Sequence, residues 1–238
     1  MLSTIESSLL FDGVDKQIVK GIVPSLVQED RDKGQRIMGP SDSAASFRLV
    51  AQGRAKIVCS NSRDGRELTL WLLGRGDAFD VACLLDGKPH AITAWAIDPV
   101  RTLAAPTAVW SKWLRSHPSL CLALQRYTAA RLRAAGELAE DLALHDTTMR
   151  LSRLLLRHFG GGKSNLLDAL PQRELASAIG SVRIVVSRVL ARMSERGIVD
   201  LRRGTVHAVD IDRLRKWIEA DSEDRYAVAR SARRAGSR

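Results

Sequence analysis

Residues 171–209 constrain the fold of this chain more tightly than any other stretch. PQRELASAIG is followed by SVRIVVSRVLARMSERGIV and then by DLRRGTVHAV. Leu175, Ala176 and Ile179 give a first short helix its apolar stripe. Gly180 supplies a residue free to take a positive φ at a tight turn. Val182, Val185, Val186, Val189, Leu190 and Met193 give a second helix its buried face, and Arg183, Ser187, Arg188 and Arg192 lie opposite. Two helices joined by so short a turn cross steeply. The second can then enter a DNA major groove while the first lies across the phosphate backbone. Val199–Val209 reads as a hairpin turning at Arg203-Gly204, placed like the wing of a winged helix. The alternative is an ordinary helical hairpin with a basic face.

Charge favours the first reading. Residues 146–238 hold 19 Lys+Arg against 11 Asp+Glu, net +8, whereas residues 1–145 hold 18 against 16, net +2. The excess therefore gathers around the helix-turn-helix, as a phosphate-binding module requires. Part of it belongs to the tail 225–238, with five arginines, no acid and little apolar periodicity. That composition predicts a disordered tail that adds nonspecific affinity.

At 238 residues the chain can build one large or two modest domains, and its 45% hydrophobic and 27% charged residues are ordinary for a globular protein. It holds no run of 18 apolar residues, so no membrane span is expected. The segment MLSTIESSLLFDGVDK lacks a basic leader, which argues against a signal peptide. Cys59, Cys83 and Cys121 are far apart in apolar surroundings, with no CxxC. Buried thiols in a reducing cytoplasm are expected, rather than disulfides or a metal site.

Hydrophobic period divides the chain. Residues 3–27 suggest short helices. From about 28 to 109 the period is two, as in Phe47, Leu49, Ala55, Ile57 and in Leu68, Leu70, Leu72. Glycine-rich punctuation between these runs predicts an antiparallel sandwich or barrel. After His117-Pro118 the period becomes helical, and Leu120, Leu124, Tyr127, Ala134, Leu138 and Leu142 form one stripe. Leu122, Ala129 and Leu132 carry apolar character further round. So wide a stripe predicts two buried faces, one on the helix's own domain and one on a second copy, with a single long core helix as the alternative. Leu120, Leu124, Tyr127, Leu138 and Leu142 are the expected dimer contacts, and Gly136 suggests close helix approach. Asp146-Thr147-Thr148 should cap a further helix, Met149–Phe159, ended by Gly160-Gly161-Gly162.

This order resembles the cyclic-AMP receptor protein / fumarate-and-nitrate-reduction regulator (Crp/Fnr) family of bacterial transcription factors, over about residues 8 to 215. The sandwich resemblance lies in FRLVAQGRAKIV (47–58), DGRELTLWLLGRGDAF (64–79) and HAITAWA (90–96), with Gly53, Gly65 and Gly76-Asp77 at the family's turns. Arg173-Glu174, Gly180, Arg183 and Arg188 sit as in its recognition unit. The resemblance implies an α+β chain in four parts. These are a β-roll sensing domain (1–116, jelly-roll-like), a dimerisation helix (117–145), a winged helix-turn-helix (146–220) and a basic tail (221–238). It implies binding, as a homodimer, to double-stranded DNA with two-fold symmetry, with RNA polymerase as a partner. Arg188 should read a guanine, and Arg183 a second guanine or a phosphate. Arg173 should contact the DNA, and Ser181, Ser187, Arg202 and Arg203 should position the backbone.

Two departures from the family matter. Cyclic-nucleotide-binding members carry a glutamate for the ribose and an arginine for the cyclic phosphate. Here the corresponding segments are Phe79-Asp80-Val81-Ala82 and His90-Ala91-Ile92. His90 lacks the guanidinium fork with which an arginine holds a phosphate. Cyclic AMP is therefore not the expected effector, and Phe79, Asp80, Cys83, His90 and Ile92 are the candidate pocket for another. Residues 1–58 contain no cysteine, which argues against an iron–sulfur cluster. A haem on His117 or Cys83 is kept as an alternative, as is control without any ligand. In the recognition helix, Ile184 replaces a glutamate common in the family and can only touch a thymine methyl or fill space.

An enzyme is the rival from another class. Gly162-Lys163-Ser164 echoes a phosphate loop, but Arg157 stands where the first glycine is needed. No HExxH, GxSxG or paired-carboxylate constellation appears. A ligand-binding module without DNA function would have no reason to keep the basic face of 183–192.

Overall fold

The computed structural model describes residues 5, 8–40, 42, 45–61, 63–79, 81–160 and 166–220. Asp80, the string Gly162-Lys163-Ser164 and the tail 221–238 lie outside them. The chain divides into two compact units, Met1–Leu138 and Ala139–Arg238.

In the first unit a short helix, α1 (Lys16–Ile22), precedes the strands. Asp15 caps it, its carboxylate accepting from the Gln17 amide at 2.6 Å. Seven strands follow: β1 (Val27–Arg31), β2 (Arg36–Met38), β3 (Ser46–Gln52), β4 (Ala55–Ser60), β5 (Glu67–Leu73), β6 (Thr93–Ala96) and β7 (Val100–Pro106). They form two antiparallel sheets, ordered β1-β7-β3 and β2-β6-β4-β5. In β3 and β4 the alternation in the sequence is inside–outside, with Phe47, Leu49, Ala55 and Ile57 buried; in β5 it is not, since Leu68, Leu70 and Leu72 are half-buried while Thr69 and Leu73 are buried. The turns need their glycines. Gly53 has φ +80, and a Cβ there would stand 2.3 Å from the Pro99 carbonyl oxygen. Gly76, at φ +87, lies against Ser8, whose hydroxyl donates to the Gly76 carbonyl.

Two helices here had no signal in the hydrophobic period. α2 (Val81–Asp86) interrupts the sandwich between β5 and β6. α3 (Thr107–Ser116) follows β7 and brings in Trp110, which packs edge-on to Phe47 with ring centroids 5.0 Å apart.

The long helix α4 (Pro118–Leu144) is continuous over its 27 residues. Its apolar stripes divide differently from expectation. Leu120, Leu124 and Tyr127, read from the sequence as dimer contacts, are buried in their own unit with Phe11, Val19, Phe47 and Trp110. The apolar surface turned outward is the second stripe: Leu122 and Leu132 are exposed, Leu132 at 72%. Ala129 and Gly136 are exposed with them. Leu138 is half-buried, and Leu142 is 37% exposed. A Cβ on Gly136 would meet nothing within 4 Å, so no contact among the described residues explains that glycine.

One polar cluster anchors α4 to the sandwich. The Tyr127 hydroxyl accepts from the Ala78 amide at 2.9 Å. Arg131, one turn on, donates to the Asp77 carboxylate at 2.8 Å and to the Tyr127 hydroxyl, and lies over the Trp71 and Tyr127 rings. Asp77 also accepts from the Gly74 amide, closing the turn after β5.

In the second unit, Asp146 caps α5 (Thr147–Phe159), its carboxylate accepting from the Met149 amide at 2.9 Å. The buried Asp141 carboxylate is paired by Arg153 at 2.6 Å and Arg157 at 3.0 Å. Three elements then build the helix-turn-helix and wing: α6 (Gln172–Ala178), α7 (Arg183–Glu195) and the hairpin β8 (Val199–Arg202)–β9 (Thr205–Val209). A last helix over 211–220, α8, closes the unit, with Leu214 buried.

Removing the Tyr127 hydroxyl leaves a buried amide without its acceptor, so Tyr127→Phe should cost about 1–3 kcal/mol in urea unfolding. Burial holds this phenol's pKa above its ordinary value of 10.0. A raised folded-state pKa means a contribution complete below about pH 10 and lost as pH rises through the raised value. The wild-type chain should show that alkaline loss, and the phenylalanine variant should lack it.

Candidate nucleic-acid interface

The crossing of α6 and α7 is fixed by the turn between them. Gly180 takes φ 59 there, and the Ser181 amide donates back to the Ala176 carbonyl at 2.9 Å. Leu175, Ala176, Ile179, Val186, Val189, Leu190 and Met193 pack beneath. Val182, expected on the buried face, stands 56% exposed at the N-cap, because the helix begins only after it. Val185 is half-buried. Sequence reading missed Arg150. From α5 its guanidinium donates to the Ile179 carbonyl at 2.7 Å and so holds the turn. A lone arginine on an amphipathic helix carries no signal of such a role.

The wing turns where expected. Arg203 (φ 50) and Gly204 (φ 79) both take left-handed conformations, as a two-residue type I′ hairpin turn demands. An arginine in that region costs of order 1 kcal/mol or more, a strain that persists because the β8–β9 pairing imposes it.

These elements surround a cleft of about 470 Å³ lined by Pro171, Gln172, Arg173, Arg183, Ser187, Arg203, Gly204 and Thr205. It brings together four of the predicted contacts, Arg173, Arg183, Ser187 and Arg203, and none of its lining residues is acidic. Both helices that end at it begin without a side-chain cap: Pro171 precedes α6 and Val182 precedes α7. Their first-turn N–H groups and dipole ends therefore add to the arginines in favouring an anion. α1 and α5, by contrast, are both capped by aspartates.

The remaining predicted contacts divide. Ile184 and Arg188 are exposed one turn apart on the outer face of α7. Ser181 is half-buried, its hydroxyl 3.4 Å from that of Thr147. Arg202 is engaged by Asp200 at 2.8 Å. Arg173 is bonded to Glu174 at 3.1 Å yet keeps 70% of its side chain exposed.

The candidate effector residues do not converge in the same way. Phe79 and Ile92 are buried in the sheet core with Ile37, Met38 and Ile57. Cys83 is buried on α2, its thiol donating to the Lys88 carbonyl at 2.7 Å. His90 is exposed. The described part of this segment thus offers no guanidinium to a cyclic phosphate, and a cyclic nucleotide does not fit it on the family's pattern. His117, kept as a haem ligand, stacks on Trp113 with centroids 4.9 Å apart and holds its Nδ1 3.1 Å from the Trp113 carbonyl. Among the described residues no group of three His, Cys, Asp or Glu side chains is placed to hold a metal ion, and no helix is long and apolar enough to cross a membrane.

Comparison with known proteins covers both units. Residues 29–117 match the cyclic nucleotide-binding domain family, and residues 149–217 match the Crp-like helix-turn-helix domain family. The chain is 27% identical over 211 residues to a CRP-like cAMP-activated global transcriptional regulator of Mycobacterium tuberculosis, covering 86% of this chain and 94% of that one. It is 29% identical over 207 residues to the global nitrogen regulator of a Nostoc species, covering 82% and 91%. The FixK2 structure from Bradyrhizobium japonicum superposes with a TM-score of 0.72 at 21% identity, over 80% of this chain and 96% of that one. Sandwich, long helix, helix-turn-helix and wing, in this order and with these matches, make the chain a member of the Crp/Fnr family of DNA-binding transcription regulators.

Proposed function

We propose that the chain acts in the cytoplasm as a homodimer on a two-fold symmetric DNA site, binding rather than catalysing, in concert with RNA polymerase. The observation that carries this reading is the basic cleft between two uncapped helix N-termini and the wing, with Arg188 on the adjoining face. A phosphate in the cleft would fix the register of α7. Arg188 would then meet the O6 and N7 of a guanine, the acceptor pair its fork matches. In a binding-site selection, Arg188→Ala should lose the preference at one guanine per half-site. Arg203→Ala should weaken all sequences alike and lower the salt-dependence slope by about 1 per half-site.

The dimer is proposed on the outward stripe of α4, not on the stripe expected from the sequence. Leu122, Ala129 and Gly136 recur every seven residues, with Gln125 and Leu132 between them, all exposed. That is the a/d pattern of a two-stranded coiled coil, with small residues that let the helices approach closely. Leu132→Glu should give a monomer in light scattering that keeps the circular dichroism of the folded wild type, with a melting temperature lowered by the lost association. A monomeric wild-type protein, with and without DNA, would overturn the proposal.

We further propose that the sandwich answers to an effector other than cyclic AMP, although relatives include proteins named for activation by it. The exposed His90 and the apolar Phe79 and Ile92 support this, since a buried phosphate without a charged partner is costly. Calorimetric titration with cyclic AMP should show no binding at micromolar concentrations. Micromolar affinity would refute it.

A further inference from the structure

We infer that Ile184, with Val182 beside it, is a specificity-determining residue that reads the 5-methyl group of a thymine close to the guanine met by Arg188. The inference rests on the placement of α7 in the major groove. Ile184 is 61% exposed and Val182 56% exposed, whereas Val186, Val189, Leu190 and Met193 on the other side of the helix are fully buried. Single exposed aliphatic residues are ordinary on a protein surface. These two are β-branched, lie within three residues at the start of the helix, and flank Arg183 at the mouth of the basic cleft. The fold does not bury them, so its packing does not explain them.

Position decides what Ile184 meets. On a helix surface, residues three and four apart are neighbours, so Ile184 shares its face with Ser187 and Arg188. In a groove-inserted helix the N-terminal residues approach the base edges. Ile184 in a helix has essentially one χ1 rotamer and so presents its methyl groups at little entropic cost. It carries no donor or acceptor. Against a cytosine it would bury the N4 amine without a partner, which is unfavourable. The apolar group the major groove does offer is the thymine methyl. Ile184 and Arg188 are separated by about 6 Å along the helix axis, which places the thymine within roughly two base steps of the guanine.

The test uses the full-length protein and the duplex recovered by selection from random DNA. Each thymine in the half-site is replaced in turn by uracil, which removes only the methyl group. Uracil at one symmetric position should weaken binding about fourfold per half-site, the worth of one buried methyl. Ile184→Ala, which folds normally because the side chain is exposed, should bind thymine and uracil duplexes equally and still require the guanine. Ile184→Glu should move the selected base from thymine to cytosine, whose amine the carboxylate can accept. Equal affinity of the wild type for thymine and uracil at every position would overturn the inference. So would a thymine–uracil distinction that survives in Ile184→Ala. Recovery of no preferred sequence by the wild type would overturn the DNA reading itself, and this inference with it.

Discussion

The attachment of α4 to the sandwich is the constraint on which the rest depends. Tyr127 and Arg131 lie one turn apart and bind opposite ends of the same short segment, the Ala78 amide and the Asp77 carboxylate. Leu120 and Leu124 continue the contact into the core. With one stripe spent in this way, the helix can rotate neither stripe nor charge without breaking a buried hydrogen bond. The Leu122–Ala129–Leu132 stripe is therefore held outward. The turn that carries Asp77 is itself tied down by Gly74 and by the close approach of Gly76 to Ser8. Sandwich loop and helix thus form one mechanical piece.

The same economy holds in the second unit. α6 and α7 are too short to be stable alone. Their angle is set by Gly180, by the shared apolar seam and by Arg150 on the turn's last carbonyls. The wing then closes over the N-termini of both helices, and its strained Arg203 brings a third guanidinium to the cleft. A cap on either helix would satisfy amides that here stay open toward an anion.

Much of this was legible in the sequence, and the exceptions have physical causes. Gly180, the buried stripe of α7 and the Arg203-Gly204 turn could be read because backbone geometry restricts which residues serve there. The two stripes of α4 could be seen, but not assigned. Periodicity shows that a face is apolar, not which neighbour covers it, so Leu120, Leu124 and Tyr127 were expected at a second chain and lie in their own core instead. α2 and α3 were missed because short helices inside a run of strands leave too few turns for a period to emerge. That also explains the candidate effector residues. Cys83 was expected at an effector pocket and lies buried on α2, while Phe79 and Ile92 pack into the sheet core.

Net charge gave the right unit for an incomplete reason. The count of arginines over 146–238 treats all of them as available to phosphate. In the structure Arg153 and Arg157 neutralise the buried Asp141, Arg150 holds a turn, Arg202 pairs with Asp200 and Arg213 with Asp210. Among the described residues, Arg183, Arg188 and Arg203 have no ion-pair or hydrogen-bond partner, and Arg183 and Arg203 line the cleft. An arginine committed to a buried carboxylate releases no counterion from DNA. Among the described residues the arginines most open to phosphate are therefore a few whose positions the fold fixes, while Arg150, Arg153 and Arg157 serve the unit's own structure.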